Sequence, residues 1–215
     1  MHGYKEGRFF IKKMIRLGLT GGVGMGKSTA SHFLYDLGFK VADTDDIART
    51  LVEPGKPALE DIVKAFGKEV LQDNGALNRG KTAELVFSDN SKRLKLEDIL
   101  HPLIRETWEI RLNEWSAQNE KLGVVVIPLL YETECERYFD KVVCIACSKD
   151  IQRQRLRQRG WSDLEIDQRI KAQLLIGEKM SRADYVVWTN GAIDTHANQW
   201  KELISYLFVE SEVED

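Results

Sequence analysis

The chain has 215 residues, of which 43% are hydrophobic and 30% are charged, so it is long enough to bury a core and has the composition of a globular protein. Its formal net charge of -3 at pH 7 gives no global attraction to the phosphates of DNA or RNA, and we expect no nucleic-acid partner. The sequence shows neither a signal peptide nor an apolar run of bilayer length, which predicts no membrane association and a cytoplasmic location.

The chain begins with residues 1–13, which precede Met14 and the first strand-like run, and we interpret them as an extension outside the fold. Five short apolar runs, rich in β-branched residues, are typical of strands covered on both faces. They predict a five-stranded parallel sheet in an α/β fold. The runs are residues 15–20, 40–42, 124–127, 142–146 and 185–188.

The segment after the first run reads GGVGMGKS at 21–28 and matches the P-loop pattern G-x-x-x-x-G-K-[ST] at every fixed position. Glycines allow such a loop to turn its backbone N–H groups around phosphate oxygens, and a following helix points its positive end at the same anion. Lys27 would then reach the β- and γ-phosphates, and Ser28 would bind Mg²⁺. The sequence therefore predicts a nucleoside triphosphate site.

A helix should follow the loop, because Ala30, Phe33, Leu34 and Leu37 are spaced as on one helical face, with Gly38 as its C-terminal glycine. A GTPase switch of the Ras type is disfavoured, since no glycine has an aspartate three residues before it and the segment at 189–194 lacks the lysine of the guanine-binding motif N-K-x-D. A small-molecule kinase remains, which should carry an acid near the acceptor, an acceptor-binding insertion and a cationic lid.

Three acids follow the second predicted strand at the carboxyl end of the sheet, where α/β proteins place their ligands. A carboxylate from Asp43, Asp45 or Asp46 could accept the proton of an attacking hydroxyl or hold a metal. The alternative is that these acids cap the next helix, and for Asp46 we favour that interpretation.

The long interval from 45 to 119 lacks a convincing strand and shows helical spacing, with separate helical stretches at 94–100 and 103–115. Trp108 and Trp115 lie on one face of the last stretch and are interpreted as core residues. His101 and Pro102 resemble a helix start, and His101 is either structural or in contact with the acceptor.

Cys144 and Cys147 form a C-x-x-C pair within the fourth predicted strand, where a spacing of three points side chains to opposite faces. With Cys135 the cysteines are three, a set that fits a reducing compartment and packing rather than a metal site.

The segment at 149–182 is predicted to be a helical lid, with four arginines at alternate positions. On a helix, Arg155 and Arg159 share one face while Arg153 and Arg157 share another. At least one of the four is expected to offset charge in the transition state.

Six segments in order resemble the dephospho-coenzyme A (dephospho-CoA) kinase family over residues 14–191. They are LTGGVGMGKST, VADTDDIAR, LVEPGKPAL, LHPLIR at 100–105, IPLLYE at 127–132 and the Ala183-Asp184 pair that leads to TNG at 189–191. The resemblance implies transfer of the γ-phosphoryl group of ATP, with Mg²⁺, to the ribose 3′-hydroxyl of dephospho-CoA.

The resemblance also assigns residues. It implies that Asp45 is the catalytic base and Arg155 the lid arginine, with Lys27 at the phosphates and Asp43 assisting at the metal beside Ser28. The implied ATP site comprises Gly22, Val23, Gly24, Met25, Gly26, Lys27, Ser28, Thr29, Arg155, Asn190 and Gly191, and the implied acceptor site comprises Asp45, His101, Arg105, Pro128 and Leu129.

Two positions depart from the family pattern. Many members carry an acid two residues before the proline of the segment that reads IPLLYE here. This chain has Val126 at that position, so Ser28 and Asp43 must contribute more to metal binding. Where many members carry an arginine after Gln173, residues 174–177 are apolar or glycine, which places more weight on Arg155 and Arg159.

The implied organisation is a nucleotide-binding core at 14–44, 120–148 and 183–209, a CoA-binding insertion at 45–119 and the lid at 149–182. The expected partners are small-molecule substrates, and the expected state is a monomer or weak homo-oligomer. Two alternatives stay open: another P-loop kinase of small metabolites or nucleoside monophosphates, and a nucleotide-dependent regulatory module.

Overall fold

The computed structural model describes residues 13–213, except for the side chains at 87–88 and 211–213. Five strands are present in the described residues: β1 (Ile15–Gly21), β2 (Lys40–Asp43), β3 (Leu122–Val126), β4 (Lys141–Ala146) and β5 (Tyr185–Trp188). They form one parallel sheet in the order β2-β3-β1-β4-β5. Each predicted run is a strand, so the predicted sheet is confirmed. Of the proposed extension at 1–13, all but Lys13 lies outside the described residues.

The sheet is buried on both faces, which explains why its strands read as continuous apolar runs. On one face, helices α1 (Lys27–Asp36) and α9 (Ile193–Val213) pack against Leu17 and Leu19 of β1. Gly38 adopts φ 86° just beyond α1, and its N–H donates to the carbonyl oxygen of Tyr35, so the predicted C-terminal glycine is confirmed.

Four helices lie between β2 and β3, which confirms the predicted helical insertion. Only an isolated antiparallel bridge, between Leu71 and Leu77, interrupts its helical character within the described residues. The helices are α2 (Thr44–Leu51), α3 (Pro57–Phe66), α4 (Arg79–Ser88) and α5 (Asn90–Ala117), with a short 3-10 helix at Lys68–Val70.

The expectation of a helix start at His101 and Pro102 is wrong, because α5 runs through Pro102 without a break. A proline inside a helix removes one backbone hydrogen bond. Here the two halves of α5 pack in different clusters: Leu96 and Leu100 contact the insertion helices, and Trp108 and Leu112 contact the sheet. A continuous helix therefore joins the insertion to the core, and this packing outweighs the lost bond.

The segment between β4 and β5 folds into α6 (Lys149–Gln158), α7 (Asp163–Lys171) and α8 (Ile176–Arg182). The predicted helical character of this segment is confirmed, whereas its role as a lid and the domain boundaries stay predictions. Cys144 and Cys147 are buried free thiols, and the described part of the chain holds no group of three or more His, Cys, Asp or Glu side chains that could bind a metal ion. Within 13–213, no helix is both long and apolar enough to cross a membrane.

Candidate active site

The P-loop connects β1 to α1, and its backbone requires glycine at two points. Gly21 has φ 144°, and a Cβ there would lie 2.2 Å from the carbonyl oxygen of Ile145 in the neighbouring strand. Gly26 is the N-cap of α1 with φ 99°. The loop therefore passes close to β4 and delivers the N-terminus of α1, with its positive dipole end, to the place where a phosphate would bind.

Lys27 is the first residue of α1, and its side chain folds back into the loop. Its Nζ donates hydrogen bonds to the carbonyl oxygens of Gly21 at 2.8 Å and Gly22 at 3.0 Å. Burial lowers the pKa of Lys27 to about 8, although the nearby Asp45 and Asp43 carboxylates oppose that shift. The ammonium therefore already lies at the phosphate site and faces the two acids.

The acids after β2 have different roles. Asp43 is the N-cap of α2, because its carboxylate accepts a hydrogen bond from the backbone N–H of Asp45 at 2.8 Å. Asp46 is not the cap, so that prediction is wrong: it lies in the first turn and pairs with Arg49 at 2.6 Å. The strand ends earlier than an Asp46 cap would require. Burial raises the pKa of Asp43.

A cavity of about 380 Å³, here called the metal-side cavity, lies between α1 and α2. Ser28, Asp43 and Asp45 contribute to its wall, so the structure brings together both residues predicted to bind metal. Hydroxyl and carboxylate oxygens suit Mg²⁺, which is usually held by one or two carboxylates together with substrate phosphates. The side chain of Val126 is a hydrocarbon that lies buried in the sheet core, so it offers no ligand to a metal.

A second cavity, of about 140 Å³ and here called the acceptor cavity, lies between α2, α5 and the segment after β3. It is lined by all five predicted acceptor residues: Asp45, His101, Arg105, Pro128 and Leu129. Its floor includes Trp108, which is 2% exposed and stacks on Phe139, so the interpretation of Trp108 as a core residue is confirmed.

Arg105 is the arginine that lines this cavity. Its guanidinium lies over the ring of Tyr138, 5.3 Å from the ring centre, and donates to the Tyr138 hydroxyl at 3.4 Å. Its Nε is buried and has no hydrogen-bond partner among the described residues. A buried guanidinium N–H without a partner is costly, which makes it available to an anionic group of a bound acceptor.

The arginines of α6 point to two different faces of that helix, as their spacing predicts. Arg153 pairs with Asp163 and Asp167 and Arg157 with Asp163, so both join α6 to α7. Arg155 instead donates to the hydroxyl and carbonyl oxygens of Thr189 at the end of β5.

A third cavity, of about 340 Å³, lies on this side of the P-loop and is here called the base cavity. Arg155 and Arg159 line it together with Thr29 and Gly191. Asn190, also predicted for the ATP site, accepts a hydrogen bond from the backbone N–H of Ser148 and so fixes the adjoining loop.

Four further residues near the site were missed by the sequence analysis. Gln173 accepts a hydrogen bond from the backbone N–H of Val23 at 2.9 Å, and Gln152 donates to the Val23 carbonyl oxygen at 2.8 Å. Gln152 of α6 and Gln173, which follows α7, therefore hold the tip of the P-loop. No pattern in the sequence indicates such long-range bonds between a side chain and the backbone.

The other two residues form an ion pair beneath the acceptor cavity. Lys179 of α8 is fully buried, and its Nζ contacts Glu132 at 2.7 Å and the Pro128 carbonyl oxygen at 2.7 Å. Glu132 also accepts from the backbone N–H of Leu174 at 2.8 Å. The pair therefore ties the wall of the acceptor cavity to the lid. Glu132 is the last residue of the IPLLYE segment, and its place there was the only feature of the sequence that pointed to it.

Comparison with known proteins shows which family this chain is similar to. The model of the dephospho-CoA kinase family matches residues 15–195. The chain is 42% identical to the dephospho-CoA kinase of Bdellovibrio bacteriovorus, over 81% of this chain and 87% of that one, and 42% identical to that of Anaeromyxobacter dehalogenans, over 89% and 91%.

Solved structures agree. Dephospho-CoA kinase from Campylobacter jejuni superposes with a TM-score of 0.68 at 26% identity, covering 89% of this chain and 96% of that one. Shikimate kinase from Acinetobacter baumannii, at 13% identity and a TM-score of 0.52 over 93% of this chain and 96% of that one, shares the P-loop kinase fold.

Proposed function

Because the chain belongs to the dephospho-CoA kinase family and catalyses the final step of CoA biosynthesis, the phosphorylation of dephospho-CoA, we propose that the three cavities hold the two substrates as follows. The base cavity and the P-loop bind ATP, and the acceptor cavity binds the ribose end of dephospho-CoA. Asp45 lies between them. One observation carries this assignment: Asp45 lines both the metal-side cavity and the acceptor cavity.

On the donor side, the backbone N–H groups of the P-loop and the ammonium of Lys27 bind the phosphates of ATP. Lys27 is positioned for this without a large movement, because it already lies within the loop. Phosphoryl transfer is catalysed mainly by positioning and by charge stabilisation, and a cation in a partly desolvated loop is effective at both.

Ser28 and Asp43 are the residues that would hold Mg²⁺, and their oxygens at one cavity fit that ion. When bound, Mg²⁺ neutralises charge on the β- and γ-phosphates. The carboxylate of Asp43 is kept in place by its capping hydrogen bond to Asp45, which also fixes the start of α2.

On the acceptor side, Asp45 accepts the proton of the ribose 3′-hydroxyl as that oxygen attacks the γ-phosphorus. The bond between the γ-phosphorus and the β,γ-bridging oxygen breaks, and ADP leaves. His101 and Arg105 approach from α5, and Pro128 and Leu129 form the opposite wall. Arg105 binds an anionic group of the acceptor through its guanidinium, since the residue lines the acceptor cavity. Arg155 stabilises negative charge in the transition state from the lid side, after exchanging its contacts with Thr189 for contacts with phosphate oxygens.

Two matched arginine variants separate the proposed substrate sites. Arg105→Met should raise the Kd for dephospho-CoA about tenfold or more and leave the Kd for ATP unchanged, because Arg105 lines the acceptor cavity. Arg159→Met should do the reverse to a smaller extent, since its exposed side chain lines the base cavity. Calorimetric titration of each variant with each substrate measures this, and equal effects on both substrates in either variant would contradict the assignment.

A further inference from the structure

His196 lies on the first turns of α9 and lines the base cavity near Gly191 and Arg155. Its side chain is 5% exposed, so it is almost completely enclosed apart from its contact with that cavity. Any role of His196 towards ATP depends on the proposed function, in which the base cavity receives the adenine.

The protonation state of His196 is set by a residue one turn further along α9. Trp200 is fully buried, and its indole Nε1–H donates a hydrogen bond to Nε2 of His196 at 3.1 Å. An indole N–H can only donate, so Nε2 must be the acceptor, and a neutral imidazole then carries its proton on Nδ1. Burial, assisted by the charge of Arg155, lowers the pKa of His196 and favours this neutral ring.

The Nδ1–H group of His196 has no hydrogen-bond acceptor among the described residues. None of the hydrogen bonds among the described residues involves Nδ1 of His196. The ring of Phe33 packs edge-on against the imidazole, with 5.2 Å between ring centres and an angle of 82°, and this contact restrains its orientation. Nδ1 is not among the buried polar atoms without a partner, so it is accessible at the base cavity that His196 lines, and an acceptor can approach it from there.

We propose that His196 donates a hydrogen bond from Nδ1 to a ring nitrogen of the adenine of ATP, with Trp200 holding the imidazole in the tautomer that can donate. Adenine offers three such acceptors, N1, N3 and N7. Thr29 of α1 and His196 of α9 both line the base cavity, so the imidazole reaches this cavity from a different element than the phosphate-binding loop. His196 is thereby a residue that binds the base of the donor, and it selects adenine over guanine if the acceptor is N1, which carries a proton in guanine.

Deaza analogues of ATP test the proposal, because each replaces one ring nitrogen by a C–H group. Titration of the wild type with ATP and with 1-deaza-, 3-deaza- and 7-deaza-ATP should show one analogue that binds about tenfold more weakly than ATP, the loss expected for one hydrogen bond. His196→Phe should bind ATP about tenfold more weakly and should no longer discriminate against that analogue. Asn198→Ala, at an exposed position of the same helix outside the base cavity, should keep the discrimination.

A second measurement needs no variant at His196. In ¹⁵N spectra of the wild-type histidines, His196 should be a neutral ring protonated on Nδ1, and its Nδ1 resonance should shift on addition of ATP. Protonation on Nε2, equal binding of all three analogues to the wild type, or full discrimination by a folded His196→Phe would each overturn the proposal. Failure of the wild type to bind ATP at all would instead overturn the proposed ATP site.

Discussion

The ammonium of Lys27 lies 2.8 Å from the carbonyl oxygen of Gly21, six residues earlier in the chain, and so crosses the loop that it follows. The lysine thereby completes the phosphate site before any nucleotide arrives. The same position is unfavourable for a charge in the absence of phosphate, which is why the pKa of Lys27 falls to about 8.

Lys27→Met should lower kcat by at least about 10²-fold, because the loop loses its cation at the transferring phosphate. Stability should respond to pH in a defined direction. The pKa of Lys27 is lower in the native state than its ordinary 10.5, so the native state of the wild type releases this proton first. The wild type should therefore gain free energy of unfolding relative to Lys27→Met as the pH rises from 8 towards 10.5, as measured by urea unfolding. A constant difference over this range would contradict the buried position of the ammonium.

Arg155→Met should reduce kcat by about 10²- to 10³-fold, since it removes a cation that stabilises charge in the transition state. Arg157→Met is the matched control on the same helix. Its pairing with Asp163 is exposed to solvent and contributes little to stability, so the variant should keep nearly full kcat and show only a small fall in Tm. Steady-state kinetics with both substrates saturating distinguish the two variants, and a larger loss for Arg157→Met would mean that the faces of α6 are assigned wrongly.

Gln173→Leu should raise the KM for ATP by about five- to tenfold, because the backbone N–H of Val23 loses its acceptor and the tip of the P-loop loses one lid contact. The KM for dephospho-CoA should stay unchanged. Gln168→Leu, at an exposed position on α7, serves as the control and should alter neither constant. A rise in both KM values for Gln173→Leu would indicate a general loss of structure rather than a loosened loop.

Lys179→Met should destabilise the protein by about 3 kcal/mol, because it leaves the Glu132 carboxylate without its main partner in a largely enclosed place. Adding Glu132→Gln should recover part of that loss, since a neutral amide needs no counter-charge. Urea unfolding of the two single variants and the double variant gives the coupling energy. Strict additivity of the three values would show that the ion pair does not act as a unit.

The fold was predictable to an unusual extent because its signals are local. Continuous apolar runs marked all five strands, and Gly38 marked the end of α1. The failures concern competition between local and tertiary effects. Pro102 indicated a helix boundary, but Leu100 and Trp108 pack in separate clusters that require one unbroken helix. Asp43 rather than Asp46 caps α2, because β2 ends at Asp43 and the helix begins at the next residue. The sequence alone did not show where the strand ends.

The candidate site divides in the same way. The residues of the P-loop and the acids after β2 form short motifs, so their grouping could be predicted, as could the opposite faces of Arg155 and Arg157. Gln173 and Lys179 bond to residues far away in the chain, and such contacts leave no pattern in the sequence. For His196, the sequence does not show which ring nitrogen accepts the hydrogen bond from Trp200. The positioning contacts around the site therefore required the structure.

Asp45 lies between the metal-side and acceptor cavities, and one pair of variants tests its proposed role as proton acceptor most directly. Asp45→Asn and Asp46→Asn remove one charge each from adjacent residues of the first turn of α2. In single-turnover experiments with Mg-ATP and dephospho-CoA bound, Asp45→Asn should slow phosphoryl transfer by about 10²-fold or more while both Kd values change little, and Asp46→Asn should transfer at nearly the wild-type rate. Equal rates for the two variants, or a loss in Asp45→Asn that lies wholly in substrate affinity, would contradict the assignment of Asp45 as the proton acceptor.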